Sequence, residues 1–292
     1  MRGRVVILLA SAFLTGSAGL AEELVHLSPF VVQAQPGPGY EEGRLIMEAP
    51  ALPARHGYPS VAERLDRLPL VSLQRRGLHA AEPVIQGMDG DRVATSLNGI
   101  YLPNAAPTQT GAPVNFLPDT ASFRVGVLRS LPSVREGPVP TGSRIRIASH
   151  PEGASPRSAT GGLFDNPRGS SLMVEQEFRT VRAHARMGLH YAGHGDYQGG
   201  GESGQVDADY RAWGGYLSGL VRPAERHLTQ FAVLYTRQEL ARNPSLPLDT
   251  KDTPFYAVSL NHSIRMEAAR LNLRAGYTRT DPYLTSEDRV PL

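Results

Sequence analysis

The stretch VRAHARMGLHY, residues 181–191, decides the fold class, because apolar or small side chains alternate with polar side chains or glycine along it. A repeat of two residues predicts a β-strand with one apolar face. Eleven residues is longer than an ordinary strand of about five to six residues. The same alternation returns in residues 206–212, 231–235, 256–266 and 271–278. The sequence therefore predicts about five long strands in the second half of the chain.

The connections between these strands alternate in length. Residues 193–205 and 240–254 form long connections, whereas residues 222–226 and 267–268 form short ones. Long loops on one side, tight turns on the other and strands of about ten residues with one apolar face are typical of outer-membrane β-barrels. A soluble β-sandwich with half-buried strands has the same alternation and is the alternative.

The first residues have the features of an export signal. Two arginines lie in Met1–Arg4, an uncharged apolar run follows in Val5–Leu14, and small residues lead to Ala21. This pattern predicts a cleaved signal peptide over residues 1–21. The alternative, a membrane anchor, needs an apolar run of about 20 residues, and this run is shorter.

Composition excludes several kinds of chemistry. Removal of Arg2 and Arg4 leaves 28 of the 30 basic residues against 28 acidic residues, so the charge gives no indication of a nucleic-acid partner. The chain has no cysteine, which excludes disulfides and thiolate chemistry. An exported chain without an apolar helix is periplasmic, secreted or an outer-membrane barrel.

The first half of the chain is organised in shorter elements. A Pro- and Gly-rich linker is predicted up to residue 53. A short helix is predicted over Ser60–Leu68, capped by Ser60 with Glu63 three residues later and stopped by Pro69. Asn98-Gly99, between two short apolar runs, predicts a type I′ hairpin. Residues 161–171 are predicted to be a loop.

The stretch VIQGMDGDRVATSLNGIYL, residues 84–102, is similar to the plug-domain segment of TonB-dependent receptors. The family pattern has Ile-Arg-Gly, then a Gly-x-Arg-Val strand, then an Asp-Gly turn. Residues 63–77 resemble the helix and first strand that open the plug, and residues 125–147 resemble its closing segment. The resemblance implies these plug-motif positions: Gly87, Gly90, Arg92, Asn98, Gly99, Arg129 and Gly137.

The chain departs from the family pattern at several positions. Gln86 stands where the family has Arg, Asn98 where it has Asp, Ser130-Leu131 where it has Gly-Pro, and Gly142-Ser143 where it has Gly-Gly. In the family, the missing charges would help to hold the plug against the barrel wall. Their loss puts the usual plug–barrel contacts and transport competence in question.

The segment HLSPFVVQAQ, residues 26–35, resembles a TonB box with its flanks. Such a peptide adds a strand to the edge of a partner's sheet, and the valines favour that conformation. A plain N-terminal strand of the mature domain is the alternative. The resemblance implies TonB contact by the following residues: Leu27, Ser28, Pro29, Phe30, Val31 and Val32.

No catalytic or cofactor site is predicted. His184 and His190 share a strand face, with His194 and Met187 nearby, but polar residues lining a barrel interior explain them better than a metal site. Residues 103–117 contain neither Met nor His, so no copper site is predicted there. No G-x-S-x-G elbow is present and no nucleophile is set beside a base, so the chain is not expected to be an enzyme.

Together the pattern and the resemblance predict an α+β plug domain followed by antiparallel transmembrane β-barrel strands of an incomplete 22-stranded barrel. The domains are a signal peptide (1–21), a TonB-box segment and linker (22–52), a plug (53–150), a linker (151–171) and barrel strands (172–292). Only 121 residues belong to that last part, whereas 22 strands need on the order of 220. The sequence thus resembles the front part of a truncated or split receptor.

The resemblance implies a Gram-negative outer-membrane receptor for energised uptake of a scarce ligand, namely a metal chelate, cobalamin or a glycan. Its expected partners are TonB, outer-membrane lipid and a small-molecule ligand, with no nucleic acid and no cofactor. The alternative is an exported, soluble plug-like binding or signalling module without transport activity.

Overall fold

The computed structural model describes residues 46–49, 60–77, 80–104, 111–118, 120, 123–128, 143–149, 157–165, 168–199, 204–242 and 249–285. The predicted signal peptide and the predicted TonB contacts Leu27–Val32 lie outside the described residues, as do Arg129 and Gly137.

The first half of the described chain forms a small domain around a mixed sheet, which we call the N-terminal domain. Its five-stranded sheet has the order β1-β6-β7-β4-β5, in which only the β4–β7 pair is parallel. A separate hairpin, β2–β3, packs beside the helix α1. The elements are β1 (Ile46–Ala49), α1 (Val61–Leu65), β2 (Val71–Arg75), β3 (Ala81–Ile85), β4 (Ala94–Leu97), β5 (Ile100–Leu102), β6 (Phe123–Leu128) and β7 (Arg144–Ser149), with 3₁₀ turns at Gly90–Arg92 and Pro113–Phe116.

The helix is present where the sequence predicted it, but it is shorter and differently anchored. It ends at Leu65 rather than Leu68, and the Ser60 side chain makes no capping hydrogen bond. Glu63 does not reach back to Ser60. Its carboxylate instead accepts hydrogen bonds of 2.6 and 3.1 Å from the Arg75 guanidinium on β2. The predicted capping box is therefore wrong, because an ion pair with the neighbouring hairpin competes for the same carboxylate.

The hairpin predicted at Asn98-Gly99 is confirmed. Leu97 pairs with Ile100 across a two-residue loop. Asn98 and Gly99 have φ values of 51° and 84°, so both residues adopt the left-handed backbone that a type I′ turn requires.

The second half forms one antiparallel sheet of long strands, which we call the long sheet. Its order is β16-β15-β14-β13-β10-β9-β8, and β17 pairs with the first residues of β15. A small hairpin, β11–β12, lies in the connection between β10 and β13. The strands are β8 (Arg157–Asp165), β9 (Arg168–Arg179), β10 (Ala183–His194), β11 (Tyr197–Gln198), β12 (Gln205–Val206), β13 (Tyr210–Val221), β14 (His227–Ala241), β15 (Asp249–Arg265), β16 (Arg270–Thr280) and β17 (Tyr283–Thr285).

Two features of the long sheet differ from the sequence predictions. Residues 161–171, predicted as loop within a linker of 151–171, lie mostly in β8 and β9. The strand predicted at 231–235 is part of the longer β14, whereas only the end of the one predicted at 206–212 lies in β13, because Val206 belongs to β12 and residues 207–209 are not in a strand. Strands rich in glycine and serine, such as β8, show little alternation in their sequence. Backbone hydrogen bonds to the neighbouring strands stabilise them instead. The short turns predicted at 222–226 and 267–268 are confirmed.

The two faces of the long sheet have opposite character. The inner face contacts the N-terminal domain and buries polar side chains, including Arg186, Ser218 and Thr236. The outer face is exposed and apolar. Its large exposed side chains include Leu172, Val174, Phe178, Met187, Leu189, Tyr191, Trp213, Leu217, Val233, Tyr256, Val258, Leu260 and Tyr277.

This arrangement disagrees with the soluble β-sandwich that the sequence left open. A sandwich buries the apolar face of each sheet against the other sheet. Here the apolar face points away from the protein, and the polar face packs on the N-terminal domain. No helix among the described residues is long and apolar enough to cross a membrane.

We expect residues 53–150 expressed alone to stay soluble and to unfold cooperatively, since the N-terminal domain has its own apolar core around Leu65, Ile85, Leu97 and Ile145. Residues 172–292 alone should aggregate, because they expose both an apolar face and unpaired strand edges. Circular dichroism melting and sedimentation would test both fragments. A soluble, monomeric second fragment would contradict the expectation.

Candidate functional site

The candidate site is the interface between the N-terminal domain and the inner face of the long sheet. Its centre is apolar and aromatic. The ring of Phe116 stacks on that of Phe255 at a centroid distance of 5.0 Å, and Phe123 lies 5.4 Å from Tyr216. One apolar cluster runs from the domain core into Met173 and the strands β13, β14 and β15. The domain is therefore packed on the sheet rather than merely tethered to it.

The Asn98-Gly99 hairpin forms the first polar contact with the sheet. The Asn98 amide nitrogen donates to the hydroxyls of Ser149 and Ser259, at 2.9 Å in each case. The Asn98 side-chain oxygen accepts from the Ser149 backbone N–H at 2.8 Å. Gln230 of β14 donates to the Ser149 carbonyl at 2.6 Å. The Asp-to-Asn departure therefore does not remove this contact, because the amide donates where a carboxylate could not.

The same hairpin packs closely on β16. Ile100 occupies the space where a Gly276 side chain would stand, and the Arg274 guanidinium lies against Gly99. A Cβ at Gly99 would lie 3.1 Å from Arg274 Nη1, so the position demands glycine for space as well as for its positive φ.

A second polar contact fixes the 3₁₀ turn at Pro113–Phe116. Two side chains of β14 donate to backbone carbonyls of this turn. The Thr236 hydroxyl donates to the Phe116 carbonyl at 2.8 Å, and Gln238 Nε2 donates to the Asn115 carbonyl at 3.1 Å. The sheet thus satisfies buried backbone acceptors that would otherwise cost free energy.

The third polar contact contains the buried charges of the interface. The Thr120 hydroxyl contacts the Glu175 carboxylate and, at 2.8 Å, the Tyr216 hydroxyl, which also donates to Glu175. Arg64 of α1 positions this segment, because its guanidinium donates to the carbonyls of Thr120 and Phe123 at 3.2 and 2.8 Å. The N-terminal domain therefore meets the charged site with a neutral hydroxyl.

The charges themselves are balanced within the long sheet. Arg186 on β10 is fully buried and lies 3.3 Å from Glu175 and 3.8 Å from Glu177 on β9. The Glu177 carboxylate also lies 2.7 Å from His184 Nε2. Ser158 of β8 donates to Glu175 at 2.8 Å. This cluster, Ser158, Glu175, Glu177, His184 and Arg186, is the charged cluster of the site.

The plug-motif residues predicted from the sequence separate into two groups. Asn98 and Gly99 lie at the interface, as described above. Gly87, with φ of 76°, and Gly90, with φ of 56°, shape the connection from β3 to β4. In that connection Arg92 forms an ion pair with Asp89. Gln86, where the family has Arg, is exposed and takes no part in the interface.

The β3–β4 connection surrounds a buried carboxyl group. Burial raises the pKa of Glu82, and the negative charge of Asp89 raises it further, whereas a hydrogen bond from the Gly90 backbone opposes the shift. The raised pKa means that ionised Glu82 is costly in the folded domain. This connection is therefore a structural feature of the domain core rather than part of the interface.

The three histidines of β10 each have their own partner. His184 contacts Glu177, His190 lies 3.4 Å from the Thr236 hydroxyl, and His194 stacks on Tyr210 at 5.4 Å. In the part of the chain that the structure describes, none of them belongs to a group of potential metal ligands. They behave as the polar inner-face residues that the sequence favoured.

One acidic group, outside the interface, lies in the β10–β13 connection. Ligand atoms of Asp196, Asp207 and Asp209 lie within 4.8 Å of one another. Hydrogen bonds satisfy them, since Asp196 accepts from the Ala208 N–H at 3.0 Å and Asp207 pairs with Arg242. The Ala208 bond is the main cause of the lowered pKa of Asp196. The cluster ties the β11–β12 hairpin to the end of β14.

The sequence predicted the Asn98-Gly99 hairpin, but it put the contact of that hairpin with the sheet in question and missed the charged cluster. Arg186 and His184 stood out as polar positions in the alternation, whereas Glu175 and Glu177 lie in β9, which was not among the predicted strands. The one available signal was the alternation of Glu175 and Glu177 with Val174, Gln176 and Phe178.

Comparison with known proteins gives matches among solved structures. No protein-family model matches the chain, and no curated protein matches it. The copper transporter OprC matches 92% of this chain at 18% identity with a TM-score of 0.69. The FrpB iron transporter from Neisseria meningitidis matches 80% at 12% identity with a TM-score of 0.64, and a mutant of the ferric enterobactin receptor PfeA from Pseudomonas aeruginosa matches 80% at 13% identity with a TM-score of 0.57.

These structures are TonB-dependent receptors, so the resemblance stated from the sequence is confirmed at the level of the fold. They are transporters and receptors rather than enzymes. The chain covers 41% of OprC, 41% of FrpB and 40% of PfeA, so it spans less than half of each of these proteins.

We predict that the charged cluster contributes to the free energy of unfolding of the chain. Arg186→Met should destabilise the folded chain by about 3–5 kcal/mol, because it leaves buried carboxylates without a cation. The double variant Arg186→Met with Glu175→Gln should regain part of this loss, because it removes the carboxylate that lies nearest to Arg186. Protease resistance of the detergent-solubilised full chain across a urea series would measure both. A double variant no more stable than Arg186→Met would contradict this account.

Proposed function

We propose that the chain is the N-terminal part of a TonB-dependent outer-membrane receptor that takes up a scarce ligand. The observation that carries this proposal is the inverted long sheet, whose outer face is apolar and exposed while its polar inner face holds a packed domain. Alternation of apolar outward and polar inward residues is the arrangement of membrane β-barrels.

Strand length supports a membrane location for the long sheet. The strands β9, β10 and β13 each have 12 residues. At about 3.3 Å per residue and a tilt of about 45°, such a strand spans about 28 Å, close to the apolar band of about 25 Å in outer-membrane barrels. The short turns at 180–182, 222–226 and 266–269 lie at one end of these strands, as periplasmic turns do.

The N-terminal domain, residues 53–150, takes the role of a plug in this proposal. Its contacts with the sheet involve neutral donors and acceptors, namely Asn98, Ser259, Thr236 and Gln238, together with aromatic stacking. Neutral contacts of this kind cost less to break than buried ion pairs, which suits a plug that must move to open a path. TonB would engage residues 27–32 and apply the force.

The related structures suggest the ligand class. OprC is a copper transporter, FrpB is an iron transporter and PfeA is the ferric enterobactin receptor. Residues 103–117 contain neither Met nor His, and each β10 histidine has a partner on the sheet. We therefore favour a metal chelate over a bare copper ion, with cobalamin and glycans as the other ligand classes.

The rest of the barrel must pair with the outer strands of the long sheet. Among the described residues, β8 and β16 each have a neighbour on one side only. Backbone groups left unpaired in hydrocarbon cost several kcal/mol each, so further strands are required for a stable membrane structure. We propose that this chain contributes to a barrel completed by additional strands.

The second candidate is an exported, soluble plug-like module without transport activity. It is favoured by the self-contained core of the N-terminal domain. It does not explain the exposed apolar outer face of the long sheet.

Cell fractionation separates the two candidates. Expressed with its own signal, the chain should be recovered in the outer-membrane fraction, with Glu22 as its N-terminus. Val258→Arg, at the centre of the outer face, should reduce recovery because it costs about 2–4 kcal/mol in the bilayer midplane. Met266→Arg, an equally exposed change in a short turn, should have little effect. Soluble periplasmic protein that is indifferent to Val258→Arg would support the module instead.

Heat-modifiable gel mobility tests whether the barrel needs further strands. The chain alone should not give a stable heat-modifiable species. Such a species would overturn the proposal of an incomplete barrel and would indicate that several copies assemble one pore.

The TonB contact has its own test. A peptide of residues 24–35 should bind the C-terminal domain of TonB weakly, as a strand added to its sheet. Val32→Pro should abolish binding because it removes a backbone donor from the ladder. Isothermal titration calorimetry of both peptides measures this difference. Equal binding would exclude strand addition as the mode.

A further inference from the structure

A cleft at the long-loop end of the long sheet lies apart from the contacts with the N-terminal domain described above, and its lining joins outer-face residues to His194 and Tyr210 of the inner face. It lies where β9, β10 and β13 approach the long connections, and its volume is about 310 Å³. Its lining includes Arg168, Tyr191, Gly193, Gly195 and Arg211. The cleft therefore combines two cationic side chains with the upper edge of the apolar outer face.

Glycines create the cleft. Gly193 pairs with Ser170 of β9 on one side and with Arg211 of β13 on the other. Two residues further on, the Gly195 N–H donates to the Arg168 carbonyl at 2.9 Å. Gly193 in β10 and Gly195 just after its end therefore carry no side chain here, and the Tyr191 hydroxyl lies 2.7 Å from the position that a Gly193 Cβ would take, at the side of a notch between β9 and β13.

The two arginines flank this notch. β9 and β13 lie on opposite sides of β10, so their backbones are about 10 Å apart at the usual strand spacing. Arg168 and Arg211 are both exposed, and each carries a long, flexible side chain that can lean over the notch. Both guanidinium groups can therefore reach one anion placed between them.

Two carboxylates near the cleft have cationic or hydrogen-bonding neighbours. Asp209, which also lines the cleft, lies near Arg242 and near His194 of the lining, and it contributes one negative charge there. Glu239, opposite Arg211 on β14, accepts from Trp213 Nε1 at 3.3 Å and pairs with Arg237 at 3.4 Å. Among the described residues, Arg168 and Arg211 form no ion pair, so the cleft keeps a cationic character.

The surface beneath the cleft is apolar and continuous with it. Leu172 and Trp213 flank Tyr191 on the two neighbouring strands, and Leu189 follows on β10. All four side chains are exposed on the outer face. An amphiphile with an anionic head in the notch would lay its acyl chains along this surface.

We propose that this cleft binds the phosphate group of an anionic lipid in the surrounding membrane, with Arg168 and Arg211 as its ligands. Guanidinium groups bind phosphate oxygens through paired, charge-assisted hydrogen bonds. The Tyr191 hydroxyl lies beside Gly193, at the boundary between notch and apolar surface. The inference rests on the proposed membrane location of the long sheet.

Trp213 provides the probe, because it is the only tryptophan of the chain and lies on the outer face two residues from Arg211. The full chain is incorporated into phosphatidylcholine vesicles that contain acyl-brominated phosphatidylcholine or acyl-brominated phosphatidic acid at equal fraction. Bromine quenches the fluorescence of Trp213 on contact. Quenching by phosphatidic acid should indicate an enrichment on the order of fivefold, since each arginine near a membrane surface attracts anionic lipid.

Two pairs of matched variants test whether the preference for phosphatidic acid comes from the arginines of the cleft. Arg168→Gln with Arg211→Gln should abolish the preference for phosphatidic acid and keep the quenching by phosphatidylcholine. Arg222→Gln with Arg226→Gln, which removes the same charge from exposed positions at the opposite end of the strands, should keep the preference. Loss of the preference in both pairs would overturn the assignment to this cleft.

The remaining outcomes separate this inference from the function on which it rests. Absence of quenching by either lipid means that the outer face does not contact the bilayer, and it overturns both proposals. Quenching by phosphatidylcholine without a preference for phosphatidic acid overturns the lipid site alone. Displacement of phosphatidic acid by inorganic phosphate at millimolar concentration would assign the cleft to a soluble phosphate and overturn the lipid as its occupant.

Discussion

The structure depends on one constraint, namely that the long sheet has a polar face and an apolar face, and each must meet a suitable environment. Arg186, Glu175, Thr236 and Ser259 face inward, where only hydrogen-bonding partners can offset their burial. The N-terminal domain supplies part of those partners, and the sheet supplies the others from its own strands. Many outward side chains among the described residues are large, apolar and exposed, so cover by hydrocarbon or another apolar phase would stabilise the sheet.

The hydrogen bonds and ion pairs of the polar inner face determine how firmly the N-terminal domain is held on the sheet. Both carboxylates of the charged cluster lie beside a cation on β10, and the N-terminal domain contacts Glu175 through the Thr120 hydroxyl. At these described contacts, removal of the domain would cost neutral hydrogen bonds and apolar contact. A neutral hydrogen bond contributes only about 0.5–1.5 kcal/mol net, whereas breaking a buried ion pair costs about 3–5 kcal/mol. The departures from the family pattern at Gln86 and Asn98 are consistent with this division, since neither residue brings a charge to the interface.

The sequence predicted those elements whose local residue pattern favours the same conformation that tertiary packing gives them. The alternation in residues 181–191 and 271–278 gives β10 and β16, and Asn98-Gly99 gives the hairpin, because backbone conformation there follows from the residues themselves. The strand β8 was missed because glycine and serine carry no pattern and its neighbour holds it. The charged cluster was missed for a similar reason, since it joins β8, β9 and β10 across the sheet. The predicted capping box at Ser60 is absent because the Glu63 carboxylate accepts hydrogen bonds from the Arg75 guanidinium, which the fold brings close to it.

The two edges of the long sheet, β8 and β16, have backbone groups that no described strand pairs. In the described part of the chain, β15 is the longest strand, with 17 residues, and β16 and β17 pair with different parts of it. The opposite edge, β8, is a nine-residue strand rich in glycine and small side chains. Both edges present backbone donors and acceptors beside an outer face that is apolar, so water cannot satisfy them if that face lies in hydrocarbon. Under the proposed membrane location, partner strands at β8 and β16 would satisfy these backbone groups. The constraint that divides the two faces of the sheet therefore also bears on its two edges.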